Sequence, residues 1–249
     1  MKTAVVYVAS ENYCDDAGTS RDSVRKWEPS LPLILATDSS KQFGGWDRQL
    51  SMSARQYPDV WYRDSTRWCL EAFDILKPDY DSLLCLDSDT LVDGPLADML
   101  RLAERFDICM THGVNRHTTG KVYDIPDAFP EFEIGVMLVQ TNERVHHLFR
   151  DWHDLYENYP LVYQNNDQGP LRDALWISDD IQFFVLPPEF HARWGFGVNV
   201  VSRVRILHGR SPGYPNSQAA AEINRCGGRR LFWPGGMWRP LVGVEEFGK

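Results

Sequence analysis

The stretch Ser82-Leu83-Leu84-Cys85-Leu86-Asp87-Ser88-Asp89-Thr90-Leu91-Val92 decides the fold. It reads as a short buried strand that runs straight into two carboxylates one residue apart. A continuous apolar run bounded by polar residues suits a central strand of a parallel sheet covered on both faces. Ligands of open α/β sheets sit at the carboxyl ends of such strands, which is where Asp87 and Asp89 emerge. Two crowded carboxylates repel each other unless a cation joins them. Hard oxygen ligands of this kind suit Mg²⁺ or Mn²⁺, which in turn hold a diphosphate. The stretch therefore predicts a site for a metal and a phosphorylated ligand.

Upstream, residues 3–9 read as a first buried strand that ends in the polar loop Ser10-Glu11-Asn12-Tyr13. A polar helical stretch over 20–27, a second strand over 31–36 ending at Thr37-Asp38, a helix near 46–57 and a short strand at Val60-Trp61-Tyr62 follow. Residues 66–76 place Trp68, Cys69, Ala72, Phe73 and Leu76 on one helical face, with Lys77-Pro78 as the stop and Asp64 or Ser65 as the cap.

Downstream, Pro95 opens an amphipathic segment carrying Leu96, Met99, Leu100 and Ala103, and 107–110 returns as a strand. Residues 111–130 carry Gly113, Gly120, Pro126 and Pro130 and read as a loop over the active site. After a strand at 134–139, Val145, Leu148, Phe149, Trp152, Leu155 and Tyr156 form a helix stripe that ends at Pro160. A short helix over 167–175, capped by Asn165 or Asn166, and strands near 183–186 and 204–207 complete the pattern. Strand–helix alternation through about residue 110 predicts an α/β fold with a mostly parallel central sheet flanked by helices. The expected organisation is one domain: a nucleotide-binding half over 1–110, a mixed acceptor-side half over 111–210 and an irregular, Trp-rich tail over 211–249.

At 249 residues and 43% hydrophobic, the chain has material for a sizeable core. A net charge of −9 argues against a nucleic-acid backbone or an anionic membrane as the main partner, although Arg203, Arg205 and Arg210 lie near one another in sequence. The five cysteines, Cys14, Cys69, Cys85, Cys109 and Cys226, are scattered and lack paired metal-ligand spacing, so they read as reduced thiols of a cytoplasmic protein. No signal-peptide core is visible, and no apolar run approaches the roughly 20 residues a membrane span needs. Oligomeric state leaves no mark in the sequence.

Residues 66–102 resemble the metal-binding core of GT-A-fold glycosyltransferases, especially the glycogenin-like and lipopolysaccharide-galactosyltransferase-like group. There a helix with a basic residue, here Arg67, precedes a strand ending in L-D-x-D-T-L-V, here residues 86–92. Three further matches lie downstream in the expected order. Gly135-Val136-Met137-Leu138-Val139 resembles the N-x-G-V-h-L-h strand, Asp167-Gln168-Gly169-Pro170-Leu171 the D-Q-G-x-L helix start, and Ile206-Leu207-His208-Gly209 the late strand ending in a metal-binding His.

The resemblance implies an Mn²⁺ or Mg²⁺ ion held by Asp87, Asp89 and His208, with the imidazole tilting the choice toward Mn²⁺. It implies a nucleoside diphosphate sugar as donor, a UDP-sugar first, and a glycan or other hydroxyl as acceptor. Arg67 and Arg210 would share the diphosphate charge, and Gly209 would offer a backbone N–H to a phosphate oxygen. Tyr13 would pack on the base and Asp38 would bind base or ribose, while Asp167 and Gln168 would sit beside the sugar, capping being the alternative role of that pair. The family's Asn two residues before the strand Gly is replaced by Glu133, a structural ion-pair partner or an acceptor-activating base, a role also open to Asp167. The stereochemical outcome stays open. So do two rival readings: a haloacid-dehalogenase-type phosphatase, using D-x-D-x-T with Asp179-Asp180 as late acidic pair, and a non-catalytic sugar-nucleotide-binding module.

Overall fold

A computed structural model describes residues 1–57, 61–113, 119–164, 166–193, 199–209, 216–225, 228–233 and 237–240; for 61–62, 230–233 and 237–240 the backbone alone is described. In chain order the strands are β1 (Thr3–Val8), β2 (Leu33–Thr37), β3 (Arg48–Ser51), β4 (Ser82–Leu86), β5 (Thr90–Val92), β6 (Ile108–His112), β7 (Phe132–Gln140), β8 (Phe183–Val185), β9 (Ala192–Arg193), β10 (Asn199–Val200), β11 (Ile206–His208), β12 (Arg230–Trp233) and β13 (Met237–Pro240). The helices are α1 (Cys14–Trp27), α2 (Trp61–Leu76), α3 (Ala97–Leu100), α4 (Glu143–Asn158), α5 (Pro160–Tyr163), α6 (Gln168–Ile177) and α7 (Asn216–Arg225).

Seven strands form the central sheet in the order β3-β2-β1-β4-β7-β6-β8. β7 runs antiparallel to both of its neighbours, and every other pair is parallel. Alternation along the strands feeds two apolar layers. Ala4, Val6, Ile34, Ala36, Leu83, Met137 and Val139 face α2, α4 and α6. Val5, Tyr7, Leu33, Leu35, Leu84, Val136 and Leu138 face α1 and the Leu96–Met99–Ala103 segment. The predicted α4 stripe is buried along its length, and Asn142 caps the helix by accepting from the Val145 N–H at 3.0 Å. Truncating a core anchor such as Trp152 to Ala costs about 3–5 kcal/mol.

Chain order explains where a ligand can go. From β1 the chain steps outward to β2 and β3, then returns across β1 to β4. The crevice at this reversal opens at the carboxyl ends of β1 and β4. A second sheet, β5-β11-β9, sits directly over that end, because β5 follows the turn that holds Asp87 and Asp89.

Several expectations are corrected. Residues 46–57 are not a helix: 48–51 form edge strand β3, which pairs with β2 and buries only Leu50. Trp61 and Tyr62 are not strand but the first turn of α2. Asp64 lies inside that helix, where its carboxylate accepts from the backbone N–H groups of Gln56 and Tyr57 and so ties the preceding chain to the helix start. α1 begins at Cys14, six residues earlier than its apolar pattern suggests. The α4 helix stops at Asn158, just before Pro160 as expected, but Pro160 also opens the single turn α5, the position where its missing N–H costs nothing. The described part of the tail is not irregular: α7 packs Ala219, Ala220 and Ile223 on Val204 and Leu207, and β12 and β13 pair antiparallel beside β10. Arg210, Cys226 and residues 114–118 of the expected active-site loop lie outside the described residues, as do the side chains of Trp233 and Trp238.

The rest of that loop is anchored by buried charge. Arg172 on α6 is fully buried between Glu131 and Asp173, at 3.2 and 2.8 Å. Glu131 also accepts from Thr119 N–H and hydroxyl, and Asp173 from Val122 N–H and the Tyr163 hydroxyl.

Candidate active site

β4 delivers Asp87 and Asp89 as the sequence predicts. The Asp87 N–H donates to the Gly135 carbonyl at 3.0 Å, continuing the β4–β7 ladder one residue past the strand. The Thr90 hydroxyl donates to the Asp87 carbonyl at 2.8 Å and is itself 2.7 Å from the Ser20 hydroxyl, which meets the Tyr7 hydroxyl at 2.9 Å. This buried hydroxyl chain pins the carboxylate turn to α1 and β1. β5 then pairs antiparallel with β11, and the register sets Thr90 opposite His208. The Gly209 N–H donates to the Asp89 carbonyl at 3.1 Å, and Asn216 at the start of α7 donates to the Gly209 carbonyl at 2.9 Å.

The result is a compact trio. His208 Nε2 lies 3.3 Å from Asp87 and 3.2 Å from Asp89. Burial works against a charged imidazole, yet the hydrogen bonds and negative charge of Asp87 and Asp89 outweigh it and lift His208 from 6.5 to about 9. The site thus draws positive charge to Nε2, the point at which a divalent ion bound by both carboxylates would also be reached. A Cβ at Gly135 would stand 2.3 Å from His208 Cε1 and 2.9 Å from Asp87 Oδ2, so the close approach of the trio to β7 requires glycine there. Two carboxylates and one imidazole from a dry wall fit Mn²⁺ or Mg²⁺.

A second trio, Glu133, His191 and His208, shares the same imidazole. His191 Nε2 is 2.6 Å from His208 Nδ1, the two rings are stacked at 4.8 Å, and His191 Nδ1 is 3.0 Å from the Thr111 hydroxyl. Burial, then the neighbouring charges of His208 and Arg193, push His191 well below the usual imidazole range and keep it neutral. Glu133 is ion-paired with Arg193 and accepts from Gln168 Nε2 at 3.1 Å. The guanidinium on Glu133 makes this second trio a poor cation site.

The structure brings Glu133 and Gln168 together, and the His208 that it shares with Glu133 links them to the carboxylate trio. Asp167 occupies the N-cap position of α6 but makes no side-chain cap; Ser65 donates to it at 3.2 Å. Burial first, then the charge of Asp87, push Asp167 from 3.8 up to about 8. Tyr13 and Asp38 follow β1 and β2, and Asp38 accepts from the Glu11 N–H at 3.1 Å, which draws these two loops together. Tyr13 is more than a third exposed.

Two residues expected at the phosphates have partners within the chain. The Gly209 N–H is already used by Asp89, and the Arg67 guanidinium is engaged by Asp64, Glu71, Ser53 and the Ala54 carbonyl. Sequence reasoning missed His191 and Arg193. His191 closes the turn before β9, and β9 pairs parallel with β11 to set Arg193 opposite His208.

No protein-family model matches the chain, and none of the curated proteins matches it in sequence. Solved structures do. The galactosyltransferase LgtC in complex with donor and acceptor sugar analogs aligns at a TM-score of 0.58 and 16% identity, over 85% of this chain and 88% of that one. An active-site mutant of LgtC gives 0.60 and 16%, over 88% and 94%. The glycosyltransferase GlyE of Streptococcus pneumoniae TIGR4 gives 0.59 and 18% over 85% of this chain, which spans 56% of GlyE. With the sheet order described above, these alignments show that the chain has the GT-A fold.

Proposed function

We propose that this chain is a metal-assisted glycosyltransferase that moves a sugar from a nucleoside diphosphate sugar, a UDP-sugar first, to a hydroxyl of a glycan or other acceptor. The observation that carries the reading is the Asp87–Asp89–His208 trio at the carboxyl ends of a GT-A sheet. A divalent ion held there supplies charge neutralisation for the leaving diphosphate. The residues around it divide the remaining work. Tyr13 offers an exposed aromatic face for the base, and Asp38 a carboxylate on the neighbouring loop for ribose or base. Asp167, protonated below about pH 8, donates an O–H toward the sugar side of the site. Glu133, held by Arg193 and Gln168, is the carboxylate positioned to accept from a substrate hydroxyl. Arg193, across the strand pair from His208 and ion-paired with Glu133, is a further cation beside the diphosphate in addition to Arg67.

The phosphatase alternative loses its second element. Asp179 and Asp180 are exposed beyond the end of α6, just before β8 begins beside Ile108, the opposite end of the sheet from the metal trio. No helix among the described residues is long and apolar enough to cross a membrane, and Cys14, Cys69, Cys85 and Cys109 are free thiols, which accords with a cytoplasmic setting.

The test is a panel of UDP-, GDP- and dTDP-sugars with Mn²⁺ or with excess EDTA, reading nucleotide release. Asp89→Asn should fall to background with its melting temperature intact. Undiminished release in EDTA, or from that variant, would refute the metal assignment.

A further inference from the structure

We propose that His191 is a positioning residue for the metal site: it accepts the Nδ1–H of His208 and thereby leaves His208 Nε2 as the nitrogen that gives up its proton to an ion held by Asp87 and Asp89. The inference rests on the metal reading above and adds a residue that neither the sequence motifs nor the fold comparison assigns.

The distances admit two arrangements of the protons, and only one of them suits an ion. His191 Nε2 and His208 Nδ1 are 2.6 Å apart, so one proton lies between them. A neutral imidazole carries a single N–H. If His191 holds it on Nδ1, it donates to the Thr111 hydroxyl 3.0 Å away, and its Nε2 is the acceptor. His208 must then be protonated on Nδ1, and its Nε2, 3.2–3.3 Å from the two carboxylates, is open to an ion. The opposite arrangement would place the His208 proton on Nε2, against the ion. Ligating histidines are held in this way by a partner on the second nitrogen, and loss of that partner costs about 10–100-fold in metal affinity or activity.

The chain sets up this relay from three directions. β9 lies parallel to β11, which stacks the two rings at 4.8 Å with 25° between their planes. The His191 N–H donates to the Pro188 carbonyl at 3.1 Å, which fixes its backbone before β9 starts. The β6–β7 register shifts between Cys109 and Thr111, and such irregularities re-aim side chains beside active sites. Both imidazoles are buried, so water does not substitute for the missing partner.

The test compares Mn²⁺ affinity of the whole chain, measured from the electron paramagnetic resonance of free Mn²⁺, for wild type, His191→Gln and His191→Phe. Phe keeps the ring stacking without an acceptor; Gln keeps an acceptor oxygen. Phe should weaken Mn²⁺ binding by about 10–100-fold, and Gln should recover most of it. Melting temperatures taken alongside separate loss of fold from loss of ion, and Gln remains informative if Phe unfolds. Equal Mn²⁺ affinity in wild type and Phe, or a folded Gln variant as weak as Phe, overturns the inference while the metal reading stands. A wild-type protein that binds no Mn²⁺ overturns both. Binding that survives Asp89→Asn but not His191→Phe assigns the ion to Glu133, His191 and His208 instead, and overturns the positioning role.

Discussion

Replacing Gly135 by Ala adds one methyl group and should disable the metal site without touching a ligand. The added Cβ would lie 2.3 Å from His208 Cε1, 2.6 Å from its Nδ1 and 2.9 Å from Asp87 Oδ2. Carbon atoms in contact normally sit about 3.5–4.0 Å apart, so the ring must retreat by more than an ångström. Behind it stands His191, stacked at 4.8 Å and itself buried, and beside it β11 is held on both sides by β5 and β9. β7 cannot yield easily either, since the Gly135 carbonyl accepts the Asp87 N–H. Overpacking of this kind costs about 1–3 kcal/mol, which for a chain of this size lowers the melting temperature by roughly 2–12 °C. Displacing the ring also pulls Nε2 away from both carboxylates, and Mn²⁺ affinity should fall by about 10–100-fold, as for loss of a ligand's support. Thermal melting of the metal-free protein and Mn²⁺ titration read the two effects separately. A Gly135→Ala protein with wild-type stability and wild-type Mn²⁺ affinity would refute the claim that β7 and the trio are in forced contact.

Tyr13→Ala should weaken nucleotide binding by about 1–3 kcal/mol, the range for one base on an aromatic platform; an unchanged dissociation constant by calorimetry returns Tyr13 to packing. Asp167 titrates at 3.8 when unfolded and at about 8 when folded, so the native state holds its proton more tightly. Its contribution to stability is present in full below 3.8 and is lost as pH rises through about 8. Asp167→Asn should therefore flatten the urea-midpoint profile across that window in metal-free protein, and parallel profiles for the two proteins would count against it. Arg172→Met leaves Glu131 and Asp173 as uncompensated buried charge and should cost about 3–5 kcal/mol in urea unfolding at neutral pH, whereas a loss near zero would mean that the triad is dispensable.

The central strands were legible because both faces of the sheet are covered, so β1, β2 and β4 carry unbroken apolar runs. The α4 stripe was legible for the matching reason, a single buried face at helical spacing. β3 was not, because an edge strand with one buried residue has no pattern to show; its pairing with β2 overrides its polar composition. Trp61 and Tyr62 favour strands in isolation, yet they form the first turn of α2. At the site, Asp87, Asp89 and His208 were readable by motif, and the physical requirement for Gly135 appears only when β7 and β11 are seen side by side. His191 and Arg193 left no motif, since one lies in the turn before β9 and the other in a two-residue strand whose partner fixes its role.

The antiparallel seam between β5 and β11 also bears on how the chain assembles. Asp89 and His208 come from opposite halves of the sequence, and the paired strands β5 and β11 are separated along the chain by β6, β7 and β8. Closing so long a loop is entropically expensive and kinetically late. A chain interrupted before β11 still holds the strands that build the seven-stranded sheet but lacks His208. On the metal reading proposed above, an ion that needs all three side chains would bind only the closed seam and draw that last step to completion by mass action.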